Sequence, residues 1–222
     1  MLQRCDGWRG AIGRFPPRVK IMCFYQRCVV PWMIHRAMRN PELAAYRARS
    51  VPAATGRVLE IGIGPGMNLP YYGGEVSGVL GLDPSAKLLA LAREKGAGPP
   101  LELIEGSAEA IPLADRSVDT VMMTWTLCSI PDPAAALREM RRVLQPSGRL
   151  LFVEHGRAPE ARVAWWQDTL TPMWKHLGGC HLNRAVDALI EGAGFRIERL
   201  DNSYMRGPKP MTFMYEGSAR VG

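Results

Sequence analysis

The chain has 222 residues, a length that suits one large α/β domain or one domain with an appendage. Hydrophobic residues make up 47% and charged residues 22%, a balance that excludes a wholly disordered chain. The formal charge of +7 is unevenly spread, because residues 1–50 hold ten Lys or Arg and only two acidic residues. We therefore divide the chain into a basic N-terminal arm, residues 1–50, and a nearly neutral domain, residues 51–222.

The arm mixes its basic residues with large aromatic side chains, among them Trp8, Phe24 and Trp32. Such a composition suits a helical lid that packs on the domain, or a segment that makes peripheral contact with an anionic membrane surface. Gln26 and Arg27 interrupt its most apolar stretch, so we expect neither a membrane span nor a signal peptide. Nucleic acid is not expected as a partner.

The chain has five cysteines, an odd number, and no two of them form a C-x-x-C pair. This pattern argues against a disulfide framework and against a zinc site, so we expect reduced thiols and no bound metal. Reduced thiols in turn favour a cytoplasmic protein, with attachment to a membrane left open. The sequence does not define an oligomeric state.

Beyond residue 56, short aliphatic runs alternate with helical patterns. In chain order the predicted elements are a strand over 57–62, a strand over 76–82, a helix over 83–95 with Asp83 as its cap, a strand over 101–105, a strand over 118–123, a helix over 133–145 closed by Pro146-Ser147-Gly148, a strand over 150–154, a helix capped by Asn183, and strands over 195–200 and 211–216. The alternation predicts an α/β fold with a doubly wound, Rossmann-like and mostly parallel sheet of seven strands. The last two strands would form an antiparallel C-terminal hairpin at one edge.

A glycine-rich loop follows the first predicted strand. It reads E-x-G-x-G-x-G, with Glu60 followed by Gly62, Gly64 and Gly66. Because glycine has no side chain, the backbone here can approach a ligand closely. A dinucleotide-binding loop would need a small residue at the position of Met67, so the pattern departs from that class.

An acidic residue ends the second predicted strand. The carboxylate of Asp83 could accept hydrogen bonds from both hydroxyls of a ribose, or it could only cap the following helix. The two roles are compatible with each other. Together with the glycine loop, Asp83 predicts a nucleoside-binding pocket at the carboxyl edge of the sheet.

These residues resemble the class I S-adenosylmethionine (SAM) methyltransferases. VLEIGIGPG, GLDPS, EGSAEAIPLADRSVDTV and LREMRRVLQPSGRLLFVEH, in this order within residues 57–156, are similar to the type-11 methyltransferase domain. The resemblance implies SAM as cofactor and S-adenosylhomocysteine (SAH) as product. It implies cofactor binding by Glu60, Gly62, Gly64, Gly66, Asp83, Pro84, Ser107, Ala108 and Thr124, with Ser107 standing where most relatives have Asp.

A narrower resemblance extends through residues 126–130, 154–155, 165–168 and 179–184. These segments are similar to the methyltransferase-like thiol S-methyltransferases, which implies a small and apolar acceptor, with a thiol as the first choice. A membrane-lipid headgroup or a quinone-type molecule is the alternative acceptor. A catalytically silent SAM-binding module is the alternative from another class. Methylation of an exocyclic amine is not expected, because Thr124-Trp125-Thr126-Leu127 replaces the N/D-P-P-Y/F motif that such enzymes carry.

Two histidines are the candidate catalytic residues. His155 follows the fifth predicted strand, and His181 lies just ahead of the helix that Asn183 is predicted to cap. An amine or hydroxyl acceptor would need such a base, whereas a thiolate is already a strong nucleophile. A structural hydrogen-bonding role is the alternative for each histidine. Several tryptophans could line an apolar acceptor pocket or belong to the ordinary core: Trp125, Trp165, Trp166 and Trp174.

Overall fold

The computed structural model describes residues 38–95 and 98–222. The chain separates into two compact units, Met1–Asn40 and Pro41–Gly222, and every element given below belongs to the second. The lid or membrane contact that we expect from the arm falls mainly on residues 1–37, which lie outside the described residues. The boundary at residue 50 therefore stays a prediction.

Helices and strands alternate along the second unit. The strands are β1 Gly56–Ile61, β2 Val76–Asp83, β3 Leu101–Glu105, β4 Val118–Thr124, β5 Leu144–His155, β6 Phe195–Tyr204 and β7 Phe213–Val221. The helices are α1 Pro41–Ser50, α2 Ala86–Arg93, α3 Pro133–Val143, α4 Ala161–Gly178, α5 Val186–Gly192 and the single turn α6 Lys209–Thr212. Short 3₁₀ turns cover Val51–Ala53 and Leu69–Tyr71. Among the described helices, none is both long enough and apolar enough to cross a bilayer.

The strands form one seven-stranded sheet in the order β3-β2-β1-β4-β5-β7-β6. The first five strands run parallel, whereas β7 is antiparallel to both β5 and β6. The predicted fold class is therefore confirmed, including its antiparallel C-terminal hairpin. Strand order reverses between β1 and β4, which is where open α/β sheets bind ligands, beyond the carboxyl ends of the strands.

The centre of the sheet is the centre of the core. Leu59 on β1, Val121 on β4 and Phe152 on β5 are fully buried. Helix α3 covers this region with Leu137 and Met140, whose spacing of three residues places both side chains on one helix face. A buried, parallel sheet of this kind holds its strand ends in fixed positions, and the loops that follow them can therefore form a preorganised site.

Some element boundaries differ from the sequence prediction. Asp83 is not the cap of α2; Ser85 is, and its hydroxyl accepts from the Leu88 N–H at 3.4 Å. Asn183 does not cap α5, which begins after Ala185; its amide instead donates to Asp168 at 2.9 Å. Asp83 also accepts from the distant Gly64 N–H. In both cases, therefore, a hydrogen bond to a residue far away in sequence competes with the predicted helix cap.

The turn predicted at Pro146-Ser147-Gly148 was wrong. Helix α3 ends at Val143, and β5 begins at once with Leu144, which pairs with Val118. A register shift between Val118 and Thr120 accommodates this early pairing. The pairing then resumes at Arg149 with Thr120, so the three residues lie in a bulge inside β5 instead of a separate turn before it. Helix α4, with Pro172 inside it, had no predicted counterpart.

Candidate active site

The glycine loop and Asp83 meet at the carboxyl edge of the sheet. The backbone N–H of Gly64 donates to Oδ2 of Asp83 at 3.0 Å, and that of Ser85 donates to Oδ1 at 2.8 Å. Asp83 is buried, and burial raises the pKa of its carboxyl group although both hydrogen bonds oppose the shift. The loops after β1 and β2 thus converge on one carboxylate, as the sequence predicts.

Two glycines of the loop have different surroundings. Gly62 and Gly64 both adopt left-handed backbone, with φ of 65° and 53°. A Cβ atom added to Gly62 would lie 2.5 Å from Cγ2 of Thr126, so this position allows the loop after β4 to pack closely. Among the described residues, a Cβ atom on Gly64 would meet no atom nearer than the carbonyl oxygen of Gly62, at 3.9 Å. The described part of the chain therefore leaves space open beside Gly64, where a ligand could contact the backbone. Gly66 also has left-handed backbone, with φ of 70°.

Glu60 is held in a buried polar network. Its Oε1 accepts from Nδ2 of Asn68 at 2.9 Å, and its Oε2 accepts from the hydroxyl of Tyr72 at 2.7 Å. Asn68 also donates to Oγ1 of Thr124 at 3.0 Å and accepts from Nε of Arg47 at 3.1 Å. Burial raises the pKa of Glu60 to about 7, against the effect of these hydrogen bonds. The network joins two predicted site residues, Glu60 and Thr124, to three that sequence analysis missed.

The remaining cofactor candidates are Ser107 and Ala108 in the loop after β3, and Pro84, which directly follows β2. The backbone N–H of Gly106 donates to the carbonyl of Asp83 at 3.3 Å, so this loop begins beside the predicted pocket. Ala108 is buried, whereas Pro84 and Ser107 are exposed. The hydroxyl of Ser107 donates to Glu109 at 2.9 Å and would have to turn away from it to bind a ligand.

The loop after β4 wraps around a buried acid. Trp125 has left-handed backbone, with φ of 50°, and the turn directs the next two backbone N–H groups at Glu154. Thr126 and Leu127 donate to its Oε1 at 2.7 and 3.0 Å. Its Oε2 is buried and has no hydrogen-bond partner among the described residues. Burial raises the pKa of Glu154 to about 7. Sequence analysis noted Glu154 only as part of a motif.

The two candidate histidines have different environments. His181 donates from Nδ1 to the carbonyl of Cys128 at 3.0 Å, and its backbone N–H donates to the same oxygen at 2.8 Å. These bonds fit a structural role for His181. His155 ends β5, is half-buried, and lies in a cluster with Cys128 and Cys180. No spacing rule in the sequence indicates this cluster, because its members follow three separate elements.

The pKa values of the two cluster thiols shift in opposite directions. The hydrogen bond with Cys128 lowers the pKa of the Cys180 thiol to about 4, and His155 and Trp174 contribute in the same direction. The same hydrogen bond and burial raise the pKa of Cys128.

The four tryptophans do not form one pocket wall. The ring of Trp125 packs edge-on against Tyr46, with centroids 6.3 Å apart. Trp174 donates from Nε1 to Sγ of Cys180 at 3.3 Å. Trp165 and Trp166 lie on α4 with 58% and 44% of their surface exposed. Two tryptophans therefore flank the carboxyl edge, and two face solvent.

Known proteins with the same features identify the family. A family described as a methyltransferase domain matches residues 59–152. The human thiol S-methyltransferase TMT1B is 31% identical over 221 residues, which cover 95% of this chain and 88% of the human protein. The chain belongs to the class I SAM-dependent methyltransferases. SAM is the cofactor of this methyltransferase, and SAH is the product.

Other relatives are similar over most of the methyltransferase. The phosphatidylethanolamine N-methyltransferase of Cereibacter sphaeroides is 32% identical over 171 residues, which cover 75% of this chain and 82% of that one. A SAM-dependent methyltransferase structure from Thermotoga maritima superposes with a TM-score of 0.64 at 21% identity, covering 91% of this chain and 98% of the other. One from Mesorhizobium loti has a TM-score of 0.61 at 21% identity, with 82% and 98% covered. Because both structures are only 21% identical to this chain, they support its fold and no more specific property.

Proposed function

We propose that this methyltransferase transfers the methyl group of SAM to the sulfur of a small, apolar thiol. The observation that carries the proposal is the 31% identity to a thiol S-methyltransferase across 95% of the chain. The chemistry agrees with it, because a thiol acceptor needs only deprotonation and alignment. The two thiols and the imidazole of the cluster lie at the ends of β4, α4 and β5.

The described residues fit the cofactor. The open space beside Gly64 suits the amino-acid portion of SAM, and the carboxylate of Asp83 suits its ribose hydroxyls. Glu60 and Thr124, joined through Asn68, would lie beneath the cofactor amino group. In this proposal, Gly62 and Gly66 shape the loop, and Pro84, Ser107 and Ala108 border the adenine.

SAM supplies a methyl group that its sulfonium activates, so this chain has to align the reactants and exclude water. Holding two reactants in line can supply roughly 7–11 kcal/mol of the barrier. The fixed ends of β1, β2 and β4 provide that alignment for the cofactor. In this proposal His155, which ends β5, belongs to the acceptor side. His181, which bonds the carbonyl of Cys128, would position the loop that carries this cysteine.

A matched set of acceptors tests the proposed function. Benzenethiol, phenol and aniline differ only in the nucleophilic atom, and phosphatidylethanolamine vesicles represent a lipid acceptor. We expect kcat/KM for benzenethiol to exceed that for phenol and aniline by at least about 100-fold. Mass spectrometry of the methylated products measures each rate. Faster methylation of aniline or of the vesicle lipid would contradict the thiol proposal.

Substitution of Asp83 tests the site in the same assay. Asp83→Ala should remove turnover with every acceptor, because each lost charge-assisted hydrogen bond to the ribose weakens SAM binding by roughly 1.5–3 kcal/mol. Calorimetric titration with SAM measures that loss directly. Asp201→Ala is the matched control, because Asp201 is exposed and pairs only with Arg199 among the described residues, at 3.1 Å. The control should keep both affinity and turnover.

A further inference from the structure

Three side chains with metal-binding atoms converge next to the proposed acceptor position. Sγ of Cys128, Sγ of Cys180 and a ring nitrogen of His155 all lie within 4.8 Å of one another. Zinc binds sulfur at about 2.3 Å and imidazole nitrogen at about 2.0–2.1 Å, so the ligand atoms of a tetrahedral site lie roughly 3.3–3.8 Å apart. Small side-chain rotations would therefore bring these three atoms to zinc-binding distances.

The ligand types favour zinc with one open position. Thiolate and imidazole are soft and borderline ligands, which suit zinc better than magnesium or calcium. Closed structural zinc sites have four protein ligands, whereas catalytic sites have three and leave the fourth position for water or substrate. Two cysteines and one histidine are among the described groups at this position, and this matches the second kind.

Neighbouring groups hold the three ligands in place. Nε1 of Trp174 donates to Sγ of Cys180 at 3.3 Å, a bond that stabilises a thiolate. His181 bonds the carbonyl of Cys128 and so fixes the backbone of that residue. Arg184 donates to the carbonyls of Leu127 and Ile130 and interacts electrostatically with both cysteines. Partners of this kind orient ligands at metal sites.

The cluster is connected to the cofactor side. Thr126, two residues before Cys128, donates from Oγ1 to the carbonyl of Ile61 at 3.1 Å, and its side chain fills the space beside Gly62. The loop after β4 therefore touches the glycine loop at one end and carries a cluster cysteine at the other. An acceptor bound at the cluster would lie on the same edge of the sheet as the cofactor.

We propose that Cys128, His155 and Cys180 bind a zinc ion, and that its fourth coordination position takes the acceptor sulfur as a thiolate. The role of the ion rests on the thiol function proposed above; the site itself does not. His155 then acts as a metal ligand instead of a base. The two cysteine thiolates offset the charge of the zinc ion. Arg184 offsets the negative charge of the third thiolate, which the acceptor supplies.

The reaction balances without a further reagent. On binding, the S–H bond of the acceptor breaks, its proton passes to water, and its sulfur forms the fourth bond to zinc. A sulfur lone pair then forms the new S–CH3 bond, the bond from methyl carbon to the sulfonium breaks, and its electron pair stays on SAH. The thioether product is uncharged and a weak ligand, so the next thiol displaces it.

Metal analysis of the full chain tests the site. The protein is purified without chelators and with a phosphine reductant, and zinc is counted by plasma mass spectrometry. We expect about one zinc per chain, and its loss in Cys180→Ser and His155→Gln. Cys5→Ser is the control variant and should keep the metal. Titration with SAM checks that every variant is folded.

Cobalt substitution tests the open position without relying on activity. Cobalt bound to two thiolates gives a sulfur-to-metal charge-transfer band, and benzenethiol added without SAM should strengthen it. Phenol should not.

The possible failures can be told apart. A chain that binds neither zinc nor cobalt, or that forms a Cys128–Cys180 disulfide under these reducing conditions, overturns the site. Full thiol methylation after zinc removal overturns the role of the ion and leaves the thiol function intact. A zinc-loaded chain that methylates aniline but not benzenethiol refutes the thiol function and the role of the ion, and leaves the metal site standing.

Discussion

Glu60 is a buried carboxyl group whose only described hydrogen bonds come from neutral donors, Asn68 and Tyr72. Burial raises its pKa from 4.5 to about 7, so the folded protein holds a proton that the unfolded chain releases. In the proposed site this acid would face the amino group of SAM, and its burial lowers the stability of the free protein near neutral pH. A bound ammonium group would favour the ionised form and reverse this cost.

The proton on Glu60 makes stability depend on pH. Between about pH 4.5 and pH 7 the unfolded state binds fewer protons than the folded state, so the free energy of unfolding should fall as pH rises. The full shift corresponds to a loss on the order of 3 kcal/mol. Glu60→Gln should flatten this fall, which urea denaturation across the pH range measures.

A second measurement separates Glu60 from other acids. SAM affinity should rise with pH over the same window in the unaltered protein and stay level in Glu60→Gln. Glu102→Gln changes an exposed acid on β3 and should leave both pH dependences as they are. An unaltered pH dependence in Glu60→Gln would show that this carboxyl group is not the one that titrates.

The glycine loop shows how one element serves two purposes. Because Gly62 has no side chain, it leaves room for the side chain of Thr126, which joins the loops after β1 and β4. Gly64 faces open space and donates its N–H to Asp83. The first position therefore concerns packing, and we propose that the second concerns the ligand.

Alanine at each glycine should separate these purposes. Gly62→Ala combines left-handed strain with a clash against Thr126 and should cost roughly 3 kcal/mol of stability. Gly64→Ala carries the strain alone, about 1–2 kcal/mol, but its methyl group would enter the space proposed for SAM. We expect the lower melting temperature in Gly62→Ala and, at a temperature where both are folded, the weaker SAM binding in Gly64→Ala. The reverse order would contradict this assignment.

At the scale of the whole molecule, an ion pair fastens the first described helix to the last strand. Glu216 on β7 accepts from Arg49 and from Ser50, both on α1, at 2.8 Å each. Burial by itself would raise the pKa of Glu216, but these hydrogen bonds hold it below the usual glutamate value. Because α1 also carries Arg47 to the network at Glu60, this contact connects the C-terminal hairpin to the cofactor side.

Removal of Glu216 should loosen this connection. Glu216→Ala loses two hydrogen bonds to one buried carboxylate and should cost about 2 kcal/mol at neutral pH. Since its folded pKa is depressed, the stabilisation should disappear as pH falls through that value. Asp115→Ala removes an exposed partner of Arg142 and should cost less than about 1 kcal/mol. Urea denaturation compares the two; equal losses would refute the role of this ion pair.

Sequence prediction succeeded where the signal is local. The alternation of strands and helices, the E-x-G-x-G-x-G loop and Asp83 at the end of β2 depend on residues close together in the chain, and the fold confirmed the sheet that they predict. It failed at Asn183, whose side chain bonds the distant Asp168 instead of capping α5, and at Pro146-Ser147-Gly148, which lie in a bulge inside β5 instead of a separate turn. The roles of the individual site residues stay predictions.

The sequence by itself determined the sheet, because the periodicity of apolar residues sets strands and helices, and its motifs resemble the family that the comparisons identify. It also predicts that the cofactor binds at the carboxyl edge of the sheet. Only the tertiary structure decided which distant side chains meet there. Asn68 links Arg47 to Glu60, and Cys128 meets Cys180, although none of these contacts follows from spacing along the chain. The ends of neighbouring parallel strands lie side by side in space, however far apart their residues are in sequence, and this packing brings the groups together.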